Sequence, residues 1–175
     1  MNPRRIIAEV AREYLGLRET SKNQGPHFAE FWRATNYPSG WKNREPWCSA
    51  FASFCVQEAD RRSEKLELRK APVFPAVAQW LPWARLPDVG CRVFRSNEVT
   101  ADLKPEAGDI VIFLPKLSHI GIVSEDYDGS GLVKTIEGNT NAAGSREGDG
   151  VFEKSRPLDF CGSFIRLPVI PRRVS

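Results

Sequence analysis

Apolar side chains recur at helical spacing in the first half of the chain and at alternating spacing in the second, and this change of period predicts the order of its elements. Ile6, Ile7, Val10, Ala11, Tyr14 and Leu15 fall on one stripe. With Asn2 as N-cap, Pro3 just inside the start and Gly16 as the stop, they predict an amphipathic first helix. Residues 19–26 are polar and punctuated by Gly25-Pro26, which predicts a loop before a short helix over 28–34. Residues 37–46, rich in Pro, Gly and Asn, form a second loop that leads into Trp47-Cys48-Ser49-Ala50-Phe51-Ala52-Ser53-Phe54-Cys55-Val56. That run is apolar nearly all round, and a helix of this kind belongs in the middle of a domain. Residues 58–70 are charged and read as a solvated helix end and connection, and 73–83 as another short helix whose end Pro82 disturbs.

From Cys91 onward the period becomes strand-like. Short β-rich runs lie at 109–114, 119–124, 132–137, 151–155 and 163–167, separated by turn residues such as Asp128-Gly129 and Gly148-Asp149-Gly150. Helices first and strands second is the α+β pattern, with N-terminal helices packed on a C-terminal antiparallel sheet. The chain has 175 residues, no internal repeat and no low-complexity segment, so a single domain over 1–175 is expected.

A hydrophobic fraction of 41% and a charged fraction of 27% are those of a globular protein. The net charge of +3 is too small and too dispersed to argue for nucleic acid, although it is compatible with an anionic polymer such as a bacterial cell wall. Glu9, Arg12 and Glu13 interrupt any signal-peptide core, and no run approaches the roughly 18 apolar residues of a membrane span. The expectation is a monomer made soluble in the cytoplasm, with no nucleic-acid or membrane partner. Its four cysteines show no CxxC pair and no paired histidine spacing, so structural zinc is not expected; two disulfides are formally open, but without a secretory signal free thiols are favoured.

Cys48 lies where a loop becomes the buried helix. A helix N-terminus favours negative charge on a thiol, and the Cys48 N–H would be an unpaired first-turn donor able to hold an oxyanion. Many cysteines are simply small buried hydrophobes, a description that suits Cys55, two turns further into the same helix. A nucleophilic thiol needs a base, and the chain has two histidines. His27, after Gly25-Pro26, reads as a surface or helix-start residue. His119 opens a strand on whose face Gly121 would allow close approach of another group. Glu137 and Asn139, two residues apart at the end of the run 132–137, share a face if the strand persists. A hairpin closed by the turn over 126–131 would return both toward His119, although a polar strand exit is the plainer reading of either residue.

Pro46-Trp47-Cys48-Ser49-Ala50-Phe51, Ala107-Gly108-Asp109-Ile110-Val111-Ile112-Phe113, Ser118-His119-Ile120-Gly121-Ile122-Val123 and Ile136-Glu137-Gly138-Asn139-Thr140-Asn141, taken in order, resemble the cysteine, histidine-dependent amidohydrolase/peptidase (CHAP) family of papain-like, NlpC-type peptidoglycan hydrolases. The likeness runs from about Gly16 to Arg166. It implies a papain-like α+β fold and hydrolysis of a peptidoglycan amide, either N-acetylmuramoyl-L-alanine or a stem-peptide or cross-bridge bond. Cys48 takes the nucleophile position, His119 the base, Glu137 the orienting acid and Asn139 an additional polar group. An acidic calcium loop before Cys48 is missing, and Asp126 and Asp128 read as turn residues, so no metal and no cofactor are carried over. Trp47, Asn23 with its loop, and residues 139–149 are candidate groove walls or, equally, packing and turn residues.

Peptidoglycan peptide is thus the expected partner, met in the periplasm or wall after export or lysis. The protein would then be a phage lysin or a secreted antibacterial effector, the latter paired with an immunity protein. A cysteine peptidase or deamidase acting on proteins, and a silent peptide-binding module, are the alternatives.

Overall fold

A computed structural model describes residues 3–63, 70–116, 118–140 and 148–169. Its helices are α1 (Arg5–Arg12), α2 (Phe28–Arg33), α3 (Cys48–Arg62) and α4 (Trp80–Ala84), the last preceded by a 3-10 turn over Val77–Gln79. The strands are β1 (Arg92–Arg95), β2 (Ile110–Phe113), β3 (Ile120–Val123), β4 (Leu132–Thr140), β5 (Gly150–Pro157) and β6 (Cys161–Arg166). They form one antiparallel sheet in the order β1-β6-β2-β3-β4-β5. The α+β, papain-like class expected from the sequence is the class observed.

The pleat sorts the strands' side chains between two cores. Ile110, Ile112, Ile120, Ile122, Ile136 and Ile165 face the helices, while Val111, Phe113, Val123, Val133 and Phe164 build a smaller cluster on the other face. Against the first set lies α3, buried continuously from Cys48 to Ser53 except for its solvent end. Its small residues let it approach the sheet closely. Its polar side chains are not idle: Ser49 and Ser53, one turn apart, both donate to the Phe74 carbonyl, at 2.8 and 3.2 Å, and Trp80 Nε1 donates to Ser49 Oγ at 2.9 Å. The chain before α4 is thereby fastened along the start of α3.

Helix α1 is clamped to the turns that flank β2 and β3. Arg4 pairs with Glu106 at 2.7 Å, Arg5 with Asp126 at 2.5 Å, and Arg12 donates to the Ser124 carbonyl at 2.6 Å. Gly108 has φ +91°, and a Cβ there would stand 1.9 Å from the Arg4 carbonyl oxygen, so only glycine fits this join.

Several boundaries differ from expectation. The first helix stops at Arg12, leaving Leu15 41% exposed, and Asn2 lies outside the described residues, as do 64–69 of the charged connection. The helix expected over 73–83 begins only at Val77. Pro82 is accommodated inside α4 because it sits in the first turn, where its missing N–H has no intrahelical acceptor to lose. β1 was not foreseen: in Arg92-Val93-Phe94-Arg95 only Phe94 is buried, and a short, charged edge strand has little pattern to recognise.

Gly138 marks the tightest contact between sheet and α3. An added Cβ would meet the Trp47 ring at 2.8 Å and the Phe51 ring at 2.9 Å. Gly138→Ala is expected to cost about 2 kcal/mol through overpacking, lowering the melting temperature by roughly 4–8 °C; an unchanged thermal melt would contradict this packing.

Candidate active site

The peptide chain enters α3 through Trp47, whose carbonyl accepts the Phe51 N–H at 2.9 Å, so the helix begins at Cys48. The first-turn N–H groups, that of Cys48 among them, have no acceptor within the helix and give this end a partial positive charge. Trp47 itself is fully buried against Phe28 and Phe31, with ring centroids 4.4 and 5.8 Å away, and its Nε1 donates to Glu19 Oε1 at 2.8 Å. The other oxygen of Glu19 accepts the Asn23 N–H at 2.7 Å, and Asn23 Nδ2 donates to the Arg44 carbonyl at 2.7 Å. Trp47 and Asn23, open to reading as groove walls or as packing and turn residues, are both buried and bonded within the fold. Their hydrogen bonds tie the loops at Glu19 and Arg44 to the start of α3.

His119 stands just before β3. Its carbonyl accepts the Phe113 N–H at 3.1 Å and its ring stacks on that of Phe113, with centroids 5.6 Å apart and planes 23° apart. Nε2 pairs with Glu137 Oε2 at 2.8 Å. The hairpin anticipated from the turn at 126–131 is what delivers Glu137: Ile122 pairs with Ile136 and Val123 with Thr135 in antiparallel register. Gly121 makes the crossing feasible, because a Cβ there would lie 2.9 Å from Glu137 Cγ. The close approach predicted at Gly121 is made by the carboxylate stem.

Glu137 has no solvent exposure and four short hydrogen bonds. Besides His119, Arg156 donates from Nε to Oε1 at 2.7 Å and from Nη2 to Oε2 at 2.5 Å, and Thr135 Oγ1 donates to Oε1 at 2.7 Å. The guanidinium also lies over the rings of Phe113 and Phe160, at 5.4 and 5.5 Å. Burial alone would raise the Glu137 pKa, but Arg156 and then His119 more than offset it and hold the carboxyl down at about 2. For His119 burial disfavours the imidazolium, yet interaction with Cys48 and with Glu137 wins, and its pKa is pushed up to about 9. With Nε2 taken by Glu137, Nδ1 is the nitrogen left for the thiol; it is buried and has no hydrogen-bond partner among the described residues.

The strand runs on through Asn139 but loses its regular alternation there. A bulge between Glu137 and Thr140 puts Asn139 at φ 55°, buried, its carbonyl accepting the Gly148 N–H at 3.2 Å and its side chain bonded to neither nitrogen of His119. The shared face expected for Glu137 and Asn139 is thus lost to the bulge. Of the other candidates, Cys55 is fully buried, and desolvation pushes its thiol well up, as suits a packing residue. All four cysteines are free thiols, as expected. His27 begins α2 on the surface, beside Glu30 at 3.1 Å. Groove residues 141–147 lie outside the described residues.

Arg156, Thr135 and Glu19 were missed. Thr135 shares the alternating face of Glu137 and was within reach of the pattern. Arg156 was not, because in Phe152-Glu153-Lys154-Ser155-Arg156 it reads as a solvated strand residue; only the pairing of Val133 with Arg156 sets it on the face of Glu137.

Among the described residues, hollows open on either side of the pair. Cys48 lines one of about 540 Å³ together with Trp32, Tyr37, Glu45, Pro75 and Val77. His119 lines another of about 350 Å³ with Phe113, Arg156 and Phe160, and Lys116 and Ser118 border both. Such an arrangement, a thiol at a helix start facing an imidazole that a buried carboxylate orients, can perform acyl transfer. Among known families, the model described as "CHAP domain" matches residues 28–139, more than half of the chain. No curated protein matches the chain.

The two shifts make stability depend on pH in opposite directions. Glu137, lowered from 4.5 to about 2, contributes stability above pH 4.5 that is lost as pH falls toward 2; His119, raised from 6.5 to about 9, contributes stability below pH 6.5 that is lost as pH rises through 9. Urea unfolding across pH 6–10 should show a decline that His119→Asn largely removes. A decline of equal size in that variant would refute the assignment.

Proposed function

Because the chain belongs to the CHAP domain family, whose members are in general hydrolases of the peptidoglycan amidase and peptidase type, we propose that it cleaves a peptidoglycan amide by Cys48-His119 covalent catalysis. The observation that carries this reading is an imidazole paired with a fully buried, ionised carboxylate and interacting with a groove-lining thiol. His119 takes the thiol proton through Nδ1, and the sulfur attacks the substrate carbonyl. The oxyanion lies against the first-turn N–H of Cys48, where the helix end favours it.

The imidazolium then gives its proton to the departing nitrogen. Water, deprotonated by the same ring, attacks the thioester and releases the acid. Glu137 holds the ring with Nδ1 toward sulfur and offsets its positive charge. Arg156 and Thr135 in turn fix the carboxylate, so that it neither rotates nor protonates near neutral pH. Asn139, on the bulge two residues beyond, is a further polar group of the site and not the partner of the ring. The bond cut is the lactyl-alanine amide or one within the stem peptide or cross-bridge, and the place of action is the cell wall.

Incubation with isolated sacculi and, separately, with casein tests the proposal by product mass. Release of wall fragments is expected; cleavage of casein alone would overturn it. Cys48→Ala should abolish release without changing the melt, His119→Ala should lower it by at least about 100-fold, and Cys55→Ala should retain it. Donation to the leaving amine needs the protonated ring, so the rate should fall as pH rises through about 9. Glu137→Gln, which removes a charge stabilising the imidazolium, should move that alkaline limb to lower pH; an unmoved limb would exclude Glu137 as the orienting acid.

A further inference from the structure

The two hollows at the catalytic pair differ in charge, and acyl transfer assigns each a different part of the substrate. This argument rests on Cys48 as nucleophile and His119 as proton donor. The sulfur retains the acyl part, which therefore lies in the hollow that Cys48 lines and His119 does not. The amine departs past the imidazole, into the hollow that His119 lines and Cys48 does not.

Glu45 is the single carboxylate among the side chains of the acyl hollow, whose walls there are otherwise largely apolar: Trp32, Tyr37, Pro75 and Val77. The amine hollow has no carboxylate in its lining. Its cations are Arg156, already neutralised by Glu137, and Lys116, which stands at the boundary between the two hollows. Neither Glu45 nor Lys116 forms an ion pair among the described residues. Each lies three positions from a catalytic residue, Glu45 before Cys48 and Lys116 before His119, so its backbone is within about 11 Å of that residue's. Each can therefore address a group within a residue or two of the scissile bond. Unpaired charges beside apolar walls select the opposite charge in a ligand.

We propose that the groove selects a peptide carrying an ammonium group on its acyl side and a carboxylate on the residue that supplies the leaving nitrogen. Glu45 receives the ammonium and Lys116 the carboxylate. A lactyl amide has no ammonium on its acyl side, so this polarity directs the enzyme to an amide inside the stem peptide or cross-bridge, and Glu45 and Lys116 are its specificity-determining residues.

Binding to the inert Cys48→Ala protein tests the polarity without requiring turnover. The probes are N-acetyl-alanyl-lysyl-D-alanine and three analogues: one acetylated at the lysine ammonium, one carrying a terminal carboxamide, and one with both changes. NMR titration should show the first binding about 10-fold more tightly than either singly blocked analogue. Adding Glu45→Gln should erase the preference for free ammonium alone, and Lys116→Met the preference for free carboxylate alone. Equal affinity for all four peptides, no saturable binding of any, or preferences that survive both substitutions would overturn the proposal. Sacculi digestion by the unaltered protein separates the two readings. Wall fragments released without charge preference leave the hydrolase standing and remove only the polarity, whereas no release removes both.

Discussion

Glu137 lies in the sheet with no exposure, where an unpaired carboxylate would take up a proton and cease to orient anything. Four short bonds keep it charged: two from Arg156 and one each from Thr135 and His119. Breaking one side of such a cluster strands a charge in a medium that cannot solvate it, which makes the geometry stiff. The stiffness is useful because the imidazole has only one nitrogen left to offer. Arg156 and His119 moreover both pack on the Phe113 ring, so the cation and the imidazole share one aromatic neighbour.

Getting a carboxylate and a thiol to opposite sides of one imidazole sets demands on the fold. β4 must pass its Glu137 stem across β3 while its next residue packs against the start of α3. Glycine meets both needs, Gly121 on one strand and Gly138 on the other, each with a neighbour that a Cβ would strike at under 3 Å. The bulge that follows turns the chain out of register. On the helix side, Glu19 joins the Trp47 indole to the loop carrying Asn23, so the first turn of α3 is braced. A groove-lining thiol and a fully buried packing ring are thus adjacent residues, Cys48 and Trp47.

Much of this was legible along the chain. The near-continuous apolar run from Trp47 to Val56 implied a central helix, and a thiol at its first residue implied reactivity, since both follow from local pattern and the direction of the helix dipole. The alternation in 119–124 and 132–137, with a turn between, was enough to fold Glu137 back on His119. Asn139 resisted the same logic because alternation presumes an unbroken strand, and a bulge is set by pairing with β5 and not by residue type. Trp47 and Asn23 were open to two readings because an indole or an amide suits a groove as well as a core until its neighbours are known.

The sequence by itself determined most of the elements and their order, the edge strand β1 excepted, and singled out Cys48 and His119, because helical and strand periods and short-range turns are properties of neighbouring residues. Only the tertiary structure decided what holds the carboxylate. Arg156 comes to Glu137 through the register of two strands, and such pairing depends on burying one face against the rest of the fold, information that no local window contains.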